Sequence, residues 1–236
     1  MRWLVCLRDK HIWIICVLKK SQVMSIQGLE AKLLANLQDF FRENAFYHLP
    51  ELRQFRKTTK TGFENVIFSF SPYDDELWVN VHFGTRHDRL EIIAQQFLSN
   101  RIDFREDANT LLTTIGRFRQ RNYFRYKINN SEELEKTCED ICSFFVEKGF
   151  AFFDIARNII EVDYIINDLP RQPCPYIYNP VHRYFKGLIA ARLSENFEFE
   201  TLFVEYASQL KKSLIDDSTK DSFEKLYSYL GYYSEN

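Results

Sequence analysis

The chain has 236 residues and a formal net charge of −2, with 45% hydrophobic and 27% charged residues, ordinary proportions for a globular protein. That length suits one large domain or two small ones, and the slightly acidic balance does not advertise nucleic-acid binding. Aromatic residues reach 16%, with 22 Phe and 13 Tyr, which predicts an unusually aromatic core.

Residues 1–23 stand apart from the rest of the chain. They carry Arg2, Arg8, Lys10, Lys19 and Lys20 against the single acid Asp9, together with Trp3, Trp13, Cys6 and Cys16. Their longest apolar run, Ile12–Leu18, is far short of the ~20 residues a spanning helix needs. Leu18-Lys19-Lys20-Ser21-Gln22 offers no small-residue cleavage site for a secretory leader. An interfacial basic segment and an ordinary first element both remain open. The expectation is that this prefix lies upstream of a start at Met24 and is dispensable to the fold.

From Met24 the pattern becomes regular. Leu29, Leu33, Leu37, Phe40 and Phe41 recur at helical spacing over 26–44. Three strands are expected next, at 52–58, 64–71 and 77–83, joined by turns at Thr61-Gly62 and Pro72-Tyr73-Asp74-Asp75, so an antiparallel meander is the natural connection. In the third strand Leu77, Val79, Val81 and Phe83 face one way and Trp78, Asn80 and His82 the other. A short helix over 89–98 comes next, then a strand-like stretch over 113–128 returning to the same sheet. Asn130 with Glu133 resembles a capping box opening a helix that Gly149 ends. Cys138 and Cys142 lie on its apolar face as small hydrophobes, and the lack of a disulfide framework points to the cytoplasm.

A further helix is expected over 152–166, bearing Asp154, Glu161, Asp163 and Asp168 as a solvated face. Four of the six Pro fall between Pro170 and Pro180 and mark a connector. Asn179-Pro180 is a strong helix start; three helices near 180–194, 198–213 and 219–230 complete the chain, with Gly231 closing the last. The fold class is α+β: an antiparallel sheet of four to five strands packed with helices, then a helical C-terminal region. The expected division is a prefix at 1–23, an α+β domain at 24–168 and a helical region at 169–236 packed on it. Phe40-Phe41-x-Glu43-x-x-Phe46 echoes Phe144-Phe145-x-Glu147-x-x-Phe150, which reads as two helices ending on aromatic anchors.

Motif chemistry is chiefly negative. The seven Gly (28, 62, 84, 116, 149, 187, 231) are never closer than 22 residues. No GxGxxG, Walker loop or GxSxG elbow can therefore form, and HExxH and CxxC do not occur. His82 and His87 near the end of the third strand could, if they projected to one side with Asp88, form a metal-dependent or hydrolytic site. The run Arg117 to Lys127 interleaves five cations with four aromatics, which suits phosphate contact and base stacking; on a strand, Arg117, Arg119, Arg121 and Tyr123 would share one face. An Arg/Tyr face is equally a protein-binding hot spot. The structural alternative is a sheet strand whose Arg-rich face pairs with carboxylates elsewhere.

The leading helix, the meander ending Leu77-Trp78-Val79-Asn80-Val81-His82-Phe83-Gly84, the segment Thr114-Ile115-Gly116-Arg117-Phe118 and the stretch Lys148-Gly149-Phe150-Ala151-Phe152-Phe153-Asp154 together resemble small bacterial domain-of-unknown-function proteins over residues 26–215. The chain departs from that pattern at His82, where a glycine is expected, and in its larger helical tail. The resemblance implies a binding role, including that of immunity partners of toxins, and supplies no catalytic residues. The expected function is thus a non-catalytic, bacterial, cytoplasmic protein with another protein as partner and no cofactor or metal. Its candidate binding residues are Trp78, His82, Arg117, Arg119, Arg121, Tyr123 and Arg125. The His82/His87/Asp88 enzyme and nucleic-acid binding through 117–127 are the alternatives.

Overall fold

The computed structural model describes residues 26–233; the prefix, and with it any reading of its role, lies outside them. Helix α1 (Ile26–Glu43) buries Leu29, Leu33, Leu34, Leu37 and Phe41, the stripe that the 3.6-residue period dictates. A six-stranded antiparallel sheet comes next: β1 (Tyr47–Leu49), β2 (Gln54–Thr59), β3 (Gly62–Tyr73), β4 (Glu76–His87), β5 (Leu111–Thr114) and β6 (Tyr126–Ile128). Its order is β1-β2-β3-β4-β5, with β6 also paired to β4. The sheet extends the expected meander by one strand, β1, before the first expected strand. β3 and β4 run longer than their apolar cores, paired from Gly62↔His87 to Tyr73↔Glu76. At one turn Gly62 has φ +149°, and a Cβ there would stand 2.2 Å from the Arg86 carbonyl; the hairpin closes only because the residue is glycine.

The inner face of the sheet carries Phe55, Val66, Phe68, Leu77, Val79, Val81 and Phe83, each at most 2% exposed. Against it pack α1, α4 (Ser131–Phe144) and α5 (Phe150–Ile155). Phe83 meets Phe118, Phe144, Phe145, Phe152 and Phe153 with ring centroids 5.3–6.0 Å apart. Edge-to-face pairs of this kind add roughly 0.5–1.5 kcal/mol each beyond area burial. The echoed Phe motifs meet one another: Phe40 stacks on Phe150 at 5.9 Å, and Phe41 meets Phe145 edge-on at 5.2 Å. Only the first of the two ends its helix.

Asn130 caps α4 by accepting from the Glu133 amide, while the Glu133 carboxylate accepts from the Asn129 amide. Gly149 does not stop the helix. A π-helical turn, Phe145–Gly149, carries the chain straight into α5, and a Cβ on Gly149 would strike the Phe145 ring at 2.4 Å. The glycine therefore serves close packing and not termination. The single helix expected over 152–166 is divided: α5 ends at Ile155 and α6 (Ile159–Asn167) restarts on an Asn158 cap. Burial pushes the Cys138 thiol up to about 11, as its apolar helix face requires.

In the C-terminal region, α7 (Pro180–Leu193) is the central rod, with α8 (Phe199–Lys212) and α9 (Asp217–Tyr232) beside it. Asn179 accepts from the Val181 and His182 amides, the cap that Asn-Pro signals. Gly231 lies inside α9, which runs on to Tyr232. Helix α7 is buried on nearly every side and packs on α6 and on α2 (Asp88–Phe97). There Lys186 meets Glu91 at 2.8 Å, their side chains 5% and 0% exposed. Thr110 and Gln95 donate to the same carboxylate, and Lys186 also donates to the Asn109 carbonyl. Asp163, expected on a solvated face, is 5% exposed and accepts from Asn167, Ser194 and Asn196. Burial of Glu91, Lys186 and Asp163 is tolerated because each is ion-paired or hydrogen-bonded. Among the described residues no helix is long and apolar enough to cross a membrane.

Candidate functional site

Strand alternation sets the site. With Leu77, Val79, Val81 and Phe83 sealed inside, Trp78, Asn80 and His82 stand half-buried on the outer face of β4. Across the register, Ser71, Ser69 and Ile67 of β3 lie beside them in that order. On the other edge of β4, β5 pairs residues 82–85 and β6 pairs residues 77–79. The two short strands thus share one edge, and the chain between them leaves the sheet.

That departure overturns the strand expected over 113–128. Thr114 accepts a hydrogen bond from the Arg117 amide at 3.1 Å and caps a single helical turn, α3 (Ile115–Phe118). Gln120 then takes a left-handed conformation, φ +59°, and the Arg121 amide returns to the Gly116 carbonyl at 2.7 Å. A Cβ on Gly116 would lie 2.9 Å from both the Arg121 carbonyl and the Phe124 side chain, so the loop folds back where glycine leaves room. Phe118 anchors the excursion on the core through Phe83 and Phe144. Arg117, Arg119, Arg121 and Tyr123 consequently share no strand face.

What the excursion builds is a wall. It encloses, with the outer sheet face, a cavity of about 500 Å³ lined by Trp78, His82, Arg117, Tyr123, Arg125 and Lys127, among others. Asn80, Asn122 and Thr114 supply further polar groups, and among the described residues no carboxylate lines it. Five of the seven expected residues meet here. Arg119 does not: it pairs with Asp140 at 2.6 Å, where the Tyr126 hydroxyl also donates. Arg119 and Tyr126 hold the Asp140 carboxyl below its usual range against the opposing effect of burial. Arg121 is exposed and outside the cavity. Tyr178, from the Pro-rich connector, completes the rim, and nothing in sequence spacing marked it. The connector is drawn in by a hydrogen bond from the Leu112 amide to the Tyr176 carbonyl.

The electrostatics are one-sided. Lys127 Nζ lies 4.7 Å from the Trp78 ring centroid and the Arg125 guanidinium 5.9 Å from it; Arg117 stands 4.2 Å over Tyr178. The Trp78 indole N–H donates to Glu76 Oε2 at 2.8 Å, and Tyr73 packs on the ring at 5.0 Å, so the indole is held before any ligand arrives. Tyr123, by contrast, is 98% exposed. Burial lowers the His82 pKa, leaving a neutral imidazole at pH 7. The arrangement can stack a flat group and neutralise an anion.

The triad expectation fails on parity. His82 and His87 are an odd number of residues apart on one continuous strand, so they project to opposite faces. The Asp88 carboxylate is taken by Arg86 Nε at 2.6 Å. Among the described residues no group of three His, Cys, Asp or Glu side chains is placed to hold a metal ion. Comparison with family models, curated proteins and solved structures finds no match.

Proposed function

We propose that the protein is a non-catalytic, cytoplasmic bacterial binding protein that receives an acidic segment of another protein on its outer sheet face. The observation that carries this reading is the cavity that gathers Arg117, Arg125 and Lys127 around Trp78 with no carboxylate among the described residues of its lining. Desolvated aromatic and arginine side chains concentrate binding energy, and a cluster of uncompensated cations selects acidic partners and speeds their encounter.

A single-stranded nucleic acid is the competing occupant, since stacking rings and cations also suit it. The geometry favours protein. Arg117, Arg125 and Lys127 line one bounded cavity, whereas a polyphosphate backbone calls for cations tracking along its path. Reversing Arg125 and Lys127 to Glu should abolish recovery of a stoichiometric protein partner from the native host, and charge reversal of that partner's acidic segment should restore it. Recovery unaffected by the double reversal, or a bound species destroyed by ribonuclease, would contradict the reading.

A further inference from the structure

Arg117 is the odd cation of the site. Its Nη1 is buried without a hydrogen-bond partner, and its side chain makes no ion pair among the described residues. A buried guanidinium N–H left unsatisfied is costly and calls for a ligand. Arg117 also lies where two cavities adjoin. It lines the sheet-face cavity and a second of about 220 Å³ behind Tyr178, and among the described residues neither has a carboxylate in its wall. The other arginines of the second cavity are spent: Arg183 donates to the Ile166, Leu169 and Gln172 carbonyls, and Arg171 pairs with Glu205.

We propose that Arg117 is the specificity-determining residue of the docking surface, binding one glutamate or aspartate carboxylate of the partner's acidic segment. This rests on the protein-binding reading above and adds to it the group that is read. One free planar fork matches the two oxygens of a carboxylate. The half-exposed Tyr178 ring lies over the guanidinium, covering its face and leaving the in-plane N–H groups as the donors for the carboxylate.

The test is a titration of the isotope-labelled full chain with the peptide acetyl-Glu-Glu-Tyr-Glu-amide, followed through the arginine, lysine and Trp78 indole side-chain signals. The peptide should shift the signals of Arg117, Lys127 and Trp78. Arg117→Gln and Arg117→Lys should each weaken binding by about fivefold or more, because lysine supplies a point charge and not a fork. Arg121→Gln, outside both cavities, should leave affinity unchanged. Arg117→Lys keeps the cation and the stem, so the test remains readable if Arg117→Gln disturbs the fold. Full affinity in Arg117→Lys, with Trp78 and Lys127 still shifting, would overturn the role of Arg117 and leave the docking surface standing. A larger Arg117 shift with sodium phosphate than with the peptide would overturn the carboxylate assignment. No shift at any of the three residues would overturn the docking surface itself.

Discussion

The two faces of β4 offer a comparison within a single strand. Phe83 and its inner neighbours sit in a dry aromatic cluster, while Trp78 and His82, one residue out of phase, line a cation-rich cavity. The backbone that fixes one face fixes the other, since both belong to the same pleat. The inner face is covered by helices from distant parts of the chain. Among the described residues the outer face is walled by loops and a connector. Stability is thus concentrated on one side and accessible chemistry on the other, and the two should respond separately to substitution.

Phe83→Ala should break the inner face, at a cost of about 3–5 kcal/mol in denaturant unfolding, because five rings lose their common partner; a cost below about 1 kcal/mol would erase the contrast between the faces. Lys186→Met should come next. Leaving Glu91 buried and unpaired costs about 3 kcal/mol, and Glu91→Leu added to it should recover much of the loss, measured as a double-mutant cycle.

The Asp140 pair beneath the excursion should give a smaller effect that depends on pH. The folded pKa of Asp140 is depressed below its unfolded value. The pair therefore contributes fully above the unfolded value, near pH 4, and its contribution is lost as pH falls through the folded pKa. Asp140→Asn should lower stability at pH 7 by up to about 1 kcal/mol, its exposure limiting the gain, and should flatten the acid limb of the stability profile. An unchanged acid limb would remove the pair from the account. Trp78→Ser should change stability least, since the indole is only half-buried and its partner Glu76 can turn to water, yet it should abolish binding to the partner.

The helix starts at Asn130 and Asn179 were legible because capping is local chemistry, and the alternation of β4 was legible because burial has a period of two. The excursion at 115–125 was not. Arg-Phe-Arg-Gln-Arg alternates like a strand, and what breaks it is the space at Gly116 and the left-handed Gln120, neither of which periodicity reports. Gly149 misled for a related reason: a glycine that admits a ring has the same letter as one that ends a helix. The opposition of His82 and His87 was available from their odd spacing once β4 was known to continue past Phe83. The ties between Glu91 and Lys186, and between Arg117 and Tyr178, join residues far apart in the chain, where no local pattern reaches. Hence Trp78, Arg117 and Tyr123 were found as residue types, while the cavity that unites them was found only in the fold.

The most direct measurement is side-chain footprinting of the full chain, free and bound to its partner. The account predicts protection of Lys127, Tyr123 and Trp78 on binding, with exposed Phe197 and Tyr232 unchanged. Protection centred on Phe197, Tyr232 or the exposed Ile160–Tyr164 face of α6, with Lys127 and Tyr123 as reactive as in the free protein, would contradict it.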